Sequence, residues 1–179
     1  GVVAAIVPWN YPQALAAFKL APALAAGCTV VLKASPETAL DAMVFAEAAA
    51  EAGIPPGVLN VVPGGTRAGA HLVSHPGVDK VSFTGSTAVG RIIGEVCGRL
   101  LRPVTLELGG KSAAIILDDA DLDATVKGLK SVSLINNGQT CFLGSRILAP
   151  RSRYGEVVDA LAALVNGLTV GDPLDMATG

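Results

Sequence analysis

Up to about Leu100, short apolar runs alternate with longer segments whose apolar positions recur at helical spacing. Val2 to Val7 predicts a buried strand ending at Pro8, and Ala14 to Ala26 a helix stopped by Gly27. The β-branched stretch Thr29 to Lys33 predicts a second strand. Thr38 to Ala52 predicts a helix, with acidic residues near its start and Gly53 just past its end. Leu59 to Val62 reads as a short strand before Pro63-Gly64-Gly65, Gly69 to Ser74 as a short helix, Lys80 to Thr84 as a strand and Ser86 to Cys97 as a helix. Strand and helix thus alternate, which is the pattern of an α/β open parallel sheet with covering helices. Right-handed crossovers carry every strand's carboxyl end to one edge of such a sheet, and ligands bind there.

The rhythm then changes. Val104 to Leu108 and Ala113 to Leu117 predict two strands separated only by Gly109-Gly110-Lys111-Ser112. A helix from roughly Leu122 to Asn136 follows, then a Gly-rich turn carrying Cys141, a strand near Arg146 to Ala149 and a helix near Tyr154 to Leu168. A domain boundary is expected near Gly109, giving domains 1–108 and 109–179. No internal repeat or low-complexity linker is visible.

Composition narrows the function classes. The chain is 51% apolar and 16% charged, which favours packed elements over a solvated, disordered chain. A net charge of -2 without a Lys/Arg run argues against a nucleic-acid groove or an anionic membrane surface. The most apolar long stretch, Ala14 to Ala26, contains Lys19 and Pro22 and is too short and broken to span a bilayer. Cys28, Cys97 and Cys141 are far apart with no C-x-x-C pair, so a reducing, cytoplasmic compartment is expected rather than a disulfide framework or zinc knuckle. Gly1 opens directly into a strand-like segment, and Gly171 to Gly179 trails off as a loop. Both ends read as cut, and a piece truncated at both ends is expected.

Four segments offer chemistry. Cys141 lies in the polar turn Asn137-Gly138-Gln139-Thr140-Cys141, where exposure and nearby backbone N–H groups favour a thiolate. Cys28 and Cys97 sit among apolar neighbours and are expected in the core. Glu107 is the one charged residue of Pro103-Val104-Thr105-Leu106-Glu107-Leu108. Burial there would raise its pKa toward the range of a general base; the alternative is an ion pair with Lys19 or Lys111. Asn10, between Pro8-Trp9 and Tyr11-Pro12, is either an oxyanion donor in a stiff turn or simply a turn residue. The loop from Gly85 to Gly90 joins a strand to a helix and suits a phosphate, although G-x-x-x-x-G is a weak signal by itself. Two patterns carry less. Gly110-Lys111-Ser112 lacks the upstream glycine and the following helix of a P-loop. His71 and His75 have metal spacing but no third ligand nearby, so no metal is expected.

Taken together, Pro8-Trp9-Asn10-Tyr11-Pro12, the Gly85-to-Gly90 loop, Glu107-Leu108-Gly109-Gly110-Lys111 and Gly138-Gln139-Thr140-Cys141 resemble the signature segments of the aldehyde dehydrogenase superfamily, in that family's order. The resemblance covers essentially the whole chain and implies a central piece of an NAD(P)-dependent enzyme. It implies a Rossmann-like cofactor domain in residues 1–108, lacking its N-terminal part, and the start of a second α/β catalytic domain in residues 109–179. By the same resemblance, Cys141 attacks the aldehyde, Asn10 helps to hold the oxyanion, Glu107 activates water against the thioester, and Lys19 lies near the proton path. Lys33 matches the lysine at the adenosine ribose, Ser86 and Trp9 match groups at the pyrophosphate, and Thr84 and Leu108 match contacts at the nicotinamide end. Many NAD-preferring members carry an acid three residues after the ribose lysine. That position is Pro36 here, with Glu37 one further on. Glu37 can still bind ribose hydroxyls and repel a 2′-phosphate, so NAD is expected over NADP.

The implied partners are a small aldehyde and a second copy or more of the complete chain, as homodimer or homotetramer. The 179 residues alone are expected to turn over little. The competing readings are a CoA-acylating dehydrogenase and a non-catalytic nucleotide-binding or structural protein of the same fold. Glu107 in its Glu-Leu-Gly-Gly-Lys setting favours water over CoA, and a scaffold has no use for Asn10, Glu107 and Cys141 together.

Overall fold

The computed structural model describes residues 1–178 and divides into two compact units, Gly1–Gly109 and Gly110–Gly179. In the first, β1 (Val2–Ile6), β2 (Thr29–Ala34), β3 (Leu59–Pro63), β4 (Lys80–Gly85) and β5 (Val104–Leu108) form one sheet in the order β3-β2-β1-β4-β5. Every pairing is parallel. Helices α1 (Pro12–Ala25), α2 (Ala39–Glu51), α3 (Thr66–Ser74) and α4 (Thr87–Arg99) connect the strands. The chain starts at the centre, winds outward through β2 and β3, then returns past β1 to β4 and β5. The α/β parallel sheet read from the alternating pattern is therefore present, and its strand order reverses between β1 and β4.

Burial of β1 explains its unbroken apolar run. Val3, Ala5 and Val7 pack with α1 and β2 residues on one face, while Ala4 and Ile6 pack with Val81, Phe83, Ile93 and Cys97 on the other. A parallel strand covered on both faces has no position left for a polar residue. Cys97 is buried in the core as expected, whereas Cys28 is only half-buried, packed against the edge of the first cluster.

Helix boundaries follow local chemistry. α1 begins at Pro12, ahead of the expected Ala14, because a proline's fixed φ and missing N–H suit the first helical position. Gly27 and Gly53 take φ of 71° and 72° and end α1 and α2. Cys28 N donates to Ala23 O and Gly27 N to Leu24 O, satisfying carbonyls at the α1 end; Ile54 and Gly53 repeat the pattern on α2.

In the second unit, β6 (Ala113–Ile115) and β7 (Arg146–Leu148) pair in parallel, with α5 (Leu122–Ser133) and α6 (Tyr154–Asn166) beside them. Ile116, Leu129 and Val157 form its small core. The expected helix to Asn136 stops at Ser133. One 3-10 turn, Ile135–Gly138, follows, and within it Asn136 and Asn137 have φ of 51° and 55°. A right-handed helix cannot continue through left-handed residues, and asparagine is among the few side chains that adopt them readily. The tail expected as loop has no regular structure through Thr178; Gly179 lies outside the described residues.

Gly90 locks α4 onto β5. A Cβ there would land on Leu108 Cδ2 and lie 2.9 Å from Leu108 Cδ1. Gly90→Ala should therefore destabilise the protein by about 1–3 kcal/mol through overpacking. A lowered unfolding midpoint in denaturant checks this; an unchanged midpoint would mean that Leu108 swings aside freely.

Candidate active site

Most candidate groups of the first unit gather at the carboxyl ends of its strands. Trp9 and Asn10 follow β1 directly, Lys33 lies near the end of β2, Thr84 and Gly85 close β4, and Glu107 and Leu108 close β5. Register brings neighbours level: Ile6 pairs with both Lys33 and Phe83, and Thr84 pairs with Glu107. Val7 N donates to Lys33 O at 3.2 Å, tying the ends of β1 and β2 together. Trp9 is half exposed in the bend before α1, and Asn10 beside it is half-buried.

At the end of β2, Lys33 is buried and its Nζ donates to Ala34 O at 2.9 Å. Burial lowers its pKa, against the opposing pull of the Glu37 charge. Ser35, also buried, donates its hydroxyl to the Glu37 carboxylate. That bond is the leading cause of a lowered Glu37 pKa, with Lys33 adding to it. The acid displaced by Pro36 is thus held, ionised, within the electrostatic reach of Lys33.

The strand-to-helix turn after β4 suits a phosphate-bearing cofactor. Thr84 is 6% exposed, and its Oγ1 is buried with no hydrogen-bond partner. Buried hydroxyls in native folds are nearly always bonded, so an orphan at a sheet edge points to a bound group that satisfies it. Ser86 caps α4 by accepting from Val89 N at 3.3 Å, and the first-turn N–H groups of this helix face the same turn. Gly85 admits no side chain, because an added Cβ would lie within 3.1 Å of the Phe83 ring.

Glu107 differs from expectation in burial. Glu107 is exposed, not buried, because Val104, Leu106 and Leu108 take the core side of the edge strand β5 while Thr105 and Glu107 take the other. Lys19 is the buried member of the two. Its Nζ donates to Ser82 Oγ at 3.1 Å. Desolvation lowers the Lys19 pKa, and the Glu107 charge pulls it back up.

In the second unit, Cys141 is exposed on a loop whose flanks are anchored. Thr140 and Leu143 on either side are buried. Gly144 N donates to Val132 O at 3.1 Å, and the buried Ser133 hydroxyl donates to Gly144 O at 2.8 Å. Gln139 N donates to Asn136 O at 2.9 Å, closing the turn ahead of the cysteine. The loop presents a thiol without being loose.

The discounted histidine pair has a structural account. His71 and His75 stack edge to face at 5.5 Å, and His75 Nδ1 accepts from Gly77 N. Among the described residues no group of three His, Cys, Asp or Glu side chains comes together. No helix of the described residues is long and apolar enough to cross a membrane.

Two serines, Ser35 and Ser82, were not singled out by sequence. Ser82 was visible only as a polar position alternating with Val81 and Phe83.

The aldehyde dehydrogenase family model matches residues 1–179. The chain is 68% identical to a geranial dehydrogenase of Castellaniella defragrans, over 99% of this chain and 37% of that protein. It is 53% identical to a phenylacetaldehyde dehydrogenase of Pseudomonas fluorescens, over 98% of this chain and 35% of that one. Among solved structures, a Mycobacterium tuberculosis aldehyde dehydrogenase complexed with NAD+ is similar at 54% identity and a TM-score of 0.97, with 99% of this chain and 37% of that one covered. An Escherichia coli NADP dependent enzyme is similar at 45% identity and a TM-score of 0.94, with 99% and 37% covered. The chain thus spans a little over a third of the length of these relatives. The resemblance read from the four segments holds along the full chain.

Because the Ser35 hydroxyl is the leading cause of the lowered Glu37 pKa, Ser35→Ala should raise it toward the ordinary carboxylate range. Side-chain carboxyl titration by NMR reads this directly. An unmoved titration would show that the hydroxyl does not hold Glu37.

Proposed function

The chain belongs to the aldehyde dehydrogenase family, and on that premise we propose that its complete gene product oxidises an aldehyde to the carboxylic acid through a thioester on Cys141. The observation that carries this reading is the Cys141 loop, an exposed thiol between two buried anchors. Exposure gives a substrate access to the sulfur, and bracing keeps its approach geometry fixed, which is what a nucleophile needs.

In this reading residues 1–108 hold the cofactor and residues 109–179 begin the catalytic domain. Lys33 and Glu37 take the adenosine ribose, Trp9, Gly85, Ser86 and the α4 N-terminus up to Gly90 take the pyrophosphate, and Thr84 and Leu108 flank the nicotinamide. The ionised Glu37 favours ribose hydroxyls over a 2′-phosphate, which supports NAD over NADP. When bound, NAD supplies the hydride acceptor. Cys141 thiolate adds to the carbonyl carbon, and the Asn10 amide and Cys141 N–H hold the oxygen as its charge develops. Loss of hydride leaves a thioester on Cys141. Glu107 removes a proton from water, the resulting hydroxide displaces the thiolate, and the acid departs. Lys19 lies on the route by which Glu107 sheds that proton. The product of the complete gene acts as a homodimer or homotetramer in a reducing, cytoplasmic compartment where the thiol stays free.

The test follows NAD reduction by the complete gene product over a panel of aldehydes headed by geranial and phenylacetaldehyde, without CoA. Wild type should turn over. Cys141→Ala should be inactive. Glu107→Gln should release one equivalent of NADH and then stall, its hydrolysis slowed by about 10²–10⁴. Activity retained by Cys141→Ala would remove the nucleophile assignment, and a requirement for CoA would make the enzyme an acylating one.

A further inference from the structure

We propose that Ser82 is a positioning residue for thioester hydrolysis, holding Lys19 on the sheet face that carries Glu107. The inference rests on the reading of Glu107 as the hydrolytic base.

Topology brings the three side chains to one face. Paired residues of parallel strands point the same way, and so do residues two apart on one strand. Ala5 pairs with Ser82, Ser82 with Thr105, and Thr84 with Glu107. Ser82 therefore shares the face of Ala5, which packs with α1, and Glu107 shares it one step nearer the carboxyl edge. Lys19 comes from α1 and meets Ser82 at 3.1 Å, across 63 residues of sequence. Val81 and Phe83 point into the opposite core, so the hydroxyl is the one polar group that this stretch of β4 offers to Lys19 before Thr84.

The chemistry favours a hydroxyl there. A lysine buried to this degree keeps its amine in place only if the amine is bonded. A serine accepts a bond from the ammonium and donates one to the neutral amine. It therefore holds Lys19 in either protonation state, as a group beside a proton path requires. An alanine holds neither form, and the flexible lysine stem is then free to leave the Glu107 side. The attack of Cys141 and the loss of hydride precede hydrolysis and do not use this group.

The test uses the complete gene product in single turnovers, with aldehyde and NAD mixed, quenched at intervals and read by intact mass. The mass gives formation and decay of the acyl group on Cys141. Ser82→Ala should form the acyl-enzyme at the wild-type rate and lose it roughly tenfold more slowly, the scale of one hydrogen bond to a charged group. Ser82→Thr, which keeps the hydroxyl, should restore the decay. In a Lys19→Met background, Ser82→Ala should add nothing, since the serine acts through the lysine. Ser82→Val, which has the shape of the threonine variant without its hydroxyl, serves as the removal variant if the alanine protein does not fold. Wild-type decay in the removal variant overturns the proposal. So does a fall in formation and decay together without rescue by threonine, which marks a merely structural role. If wild type itself forms no acyl-Cys141 with any aldehyde, the reading of the active site fails and takes this inference with it. Wild-type acylation and a stalled Glu107→Gln, with Ser82→Ala unaffected, sink the Ser82 role alone.

Discussion

The first unit hangs on the burial of β1 from both sides. Ala4 and Ala5 have no exposure, and the strand is paired in parallel with β2 on one side and β4 on the other. A residue slip would turn Val3 and Ile6 to the wrong clusters, so register is fixed by packing on two faces at once. Small alanines at the centre let α1 approach one face and α3 the other. Because every pairing is parallel, the same constraint sends each strand's end to one edge, and the strand order reverses beside β1, the place where open sheets of this kind take ligands. The position of Asn10 after β1 and the pairing of Thr84 with Glu107 are consequences of that register.

Electrostatics at this edge are built from unequal burial. Lys19 and Lys33 are both sunk into the unit, and burial lowers both pKa values. Each is opposed by an acid that stays in water, Glu107 for the first and Glu37 for the second. A carboxylate left exposed keeps its hydration, while the lysine supplies a directed charge from beneath. Each lysine also donates to a fixed acceptor, Ser82 Oγ or Ala34 O. The arrangement avoids the desolvation cost of a fully buried ion pair and still couples the two charges. The expectation of a buried Glu107 placed the burial on the wrong partner. The strand from Val104 to Leu108 was read correctly, but the side on which the acid falls was not local information.

The same distinction governs what else was legible. Elements set by local chemistry were readable within a residue or two: β5 from its mostly apolar run, the ends of α1 and α2 from Gly27 and Gly53, and β4 from Lys80 onward. The four motif segments were readable because each is short and contiguous. Ser82 was not, because its partner lies 63 residues away and only pairing and helix packing bring them together. Ser35 was hidden differently. Its hydroxyl reaches Glu37 across Pro36, and residue type alone does not say which way a serine in such a turn points. The overlong α5 failed because Asn136 and Asn137 continue an apparently polar helical face, and nothing in residue type alone says that both turn left-handed.

That left-handed pair has a consequence for how the chemistry is divided. Sheet edges position groups well but present them in straight rows, set by the pleat and the register. A nucleophile must instead project from the chain with its own N–H turned toward the reacting oxygen, and a strand whose N–H groups are committed to a ladder cannot supply one. The turn from Ile135 to Gly138 breaks the helix, and the bonds from Gly144 to Val132 and from Ser133 to Gly144 return the chain to β7 within a few residues. The loop between is short and anchored at both ends, and it exposes Cys141. Helix-breaking backbone beside a buried Thr140 and Leu143 is therefore a means of releasing one residue from secondary structure while its neighbours hold it still. On the proposed reading, the acid and its lysine draw on the rigidity of the sheet and the thiol on release from such a ladder, so the two kinds of group arise from different kinds of backbone.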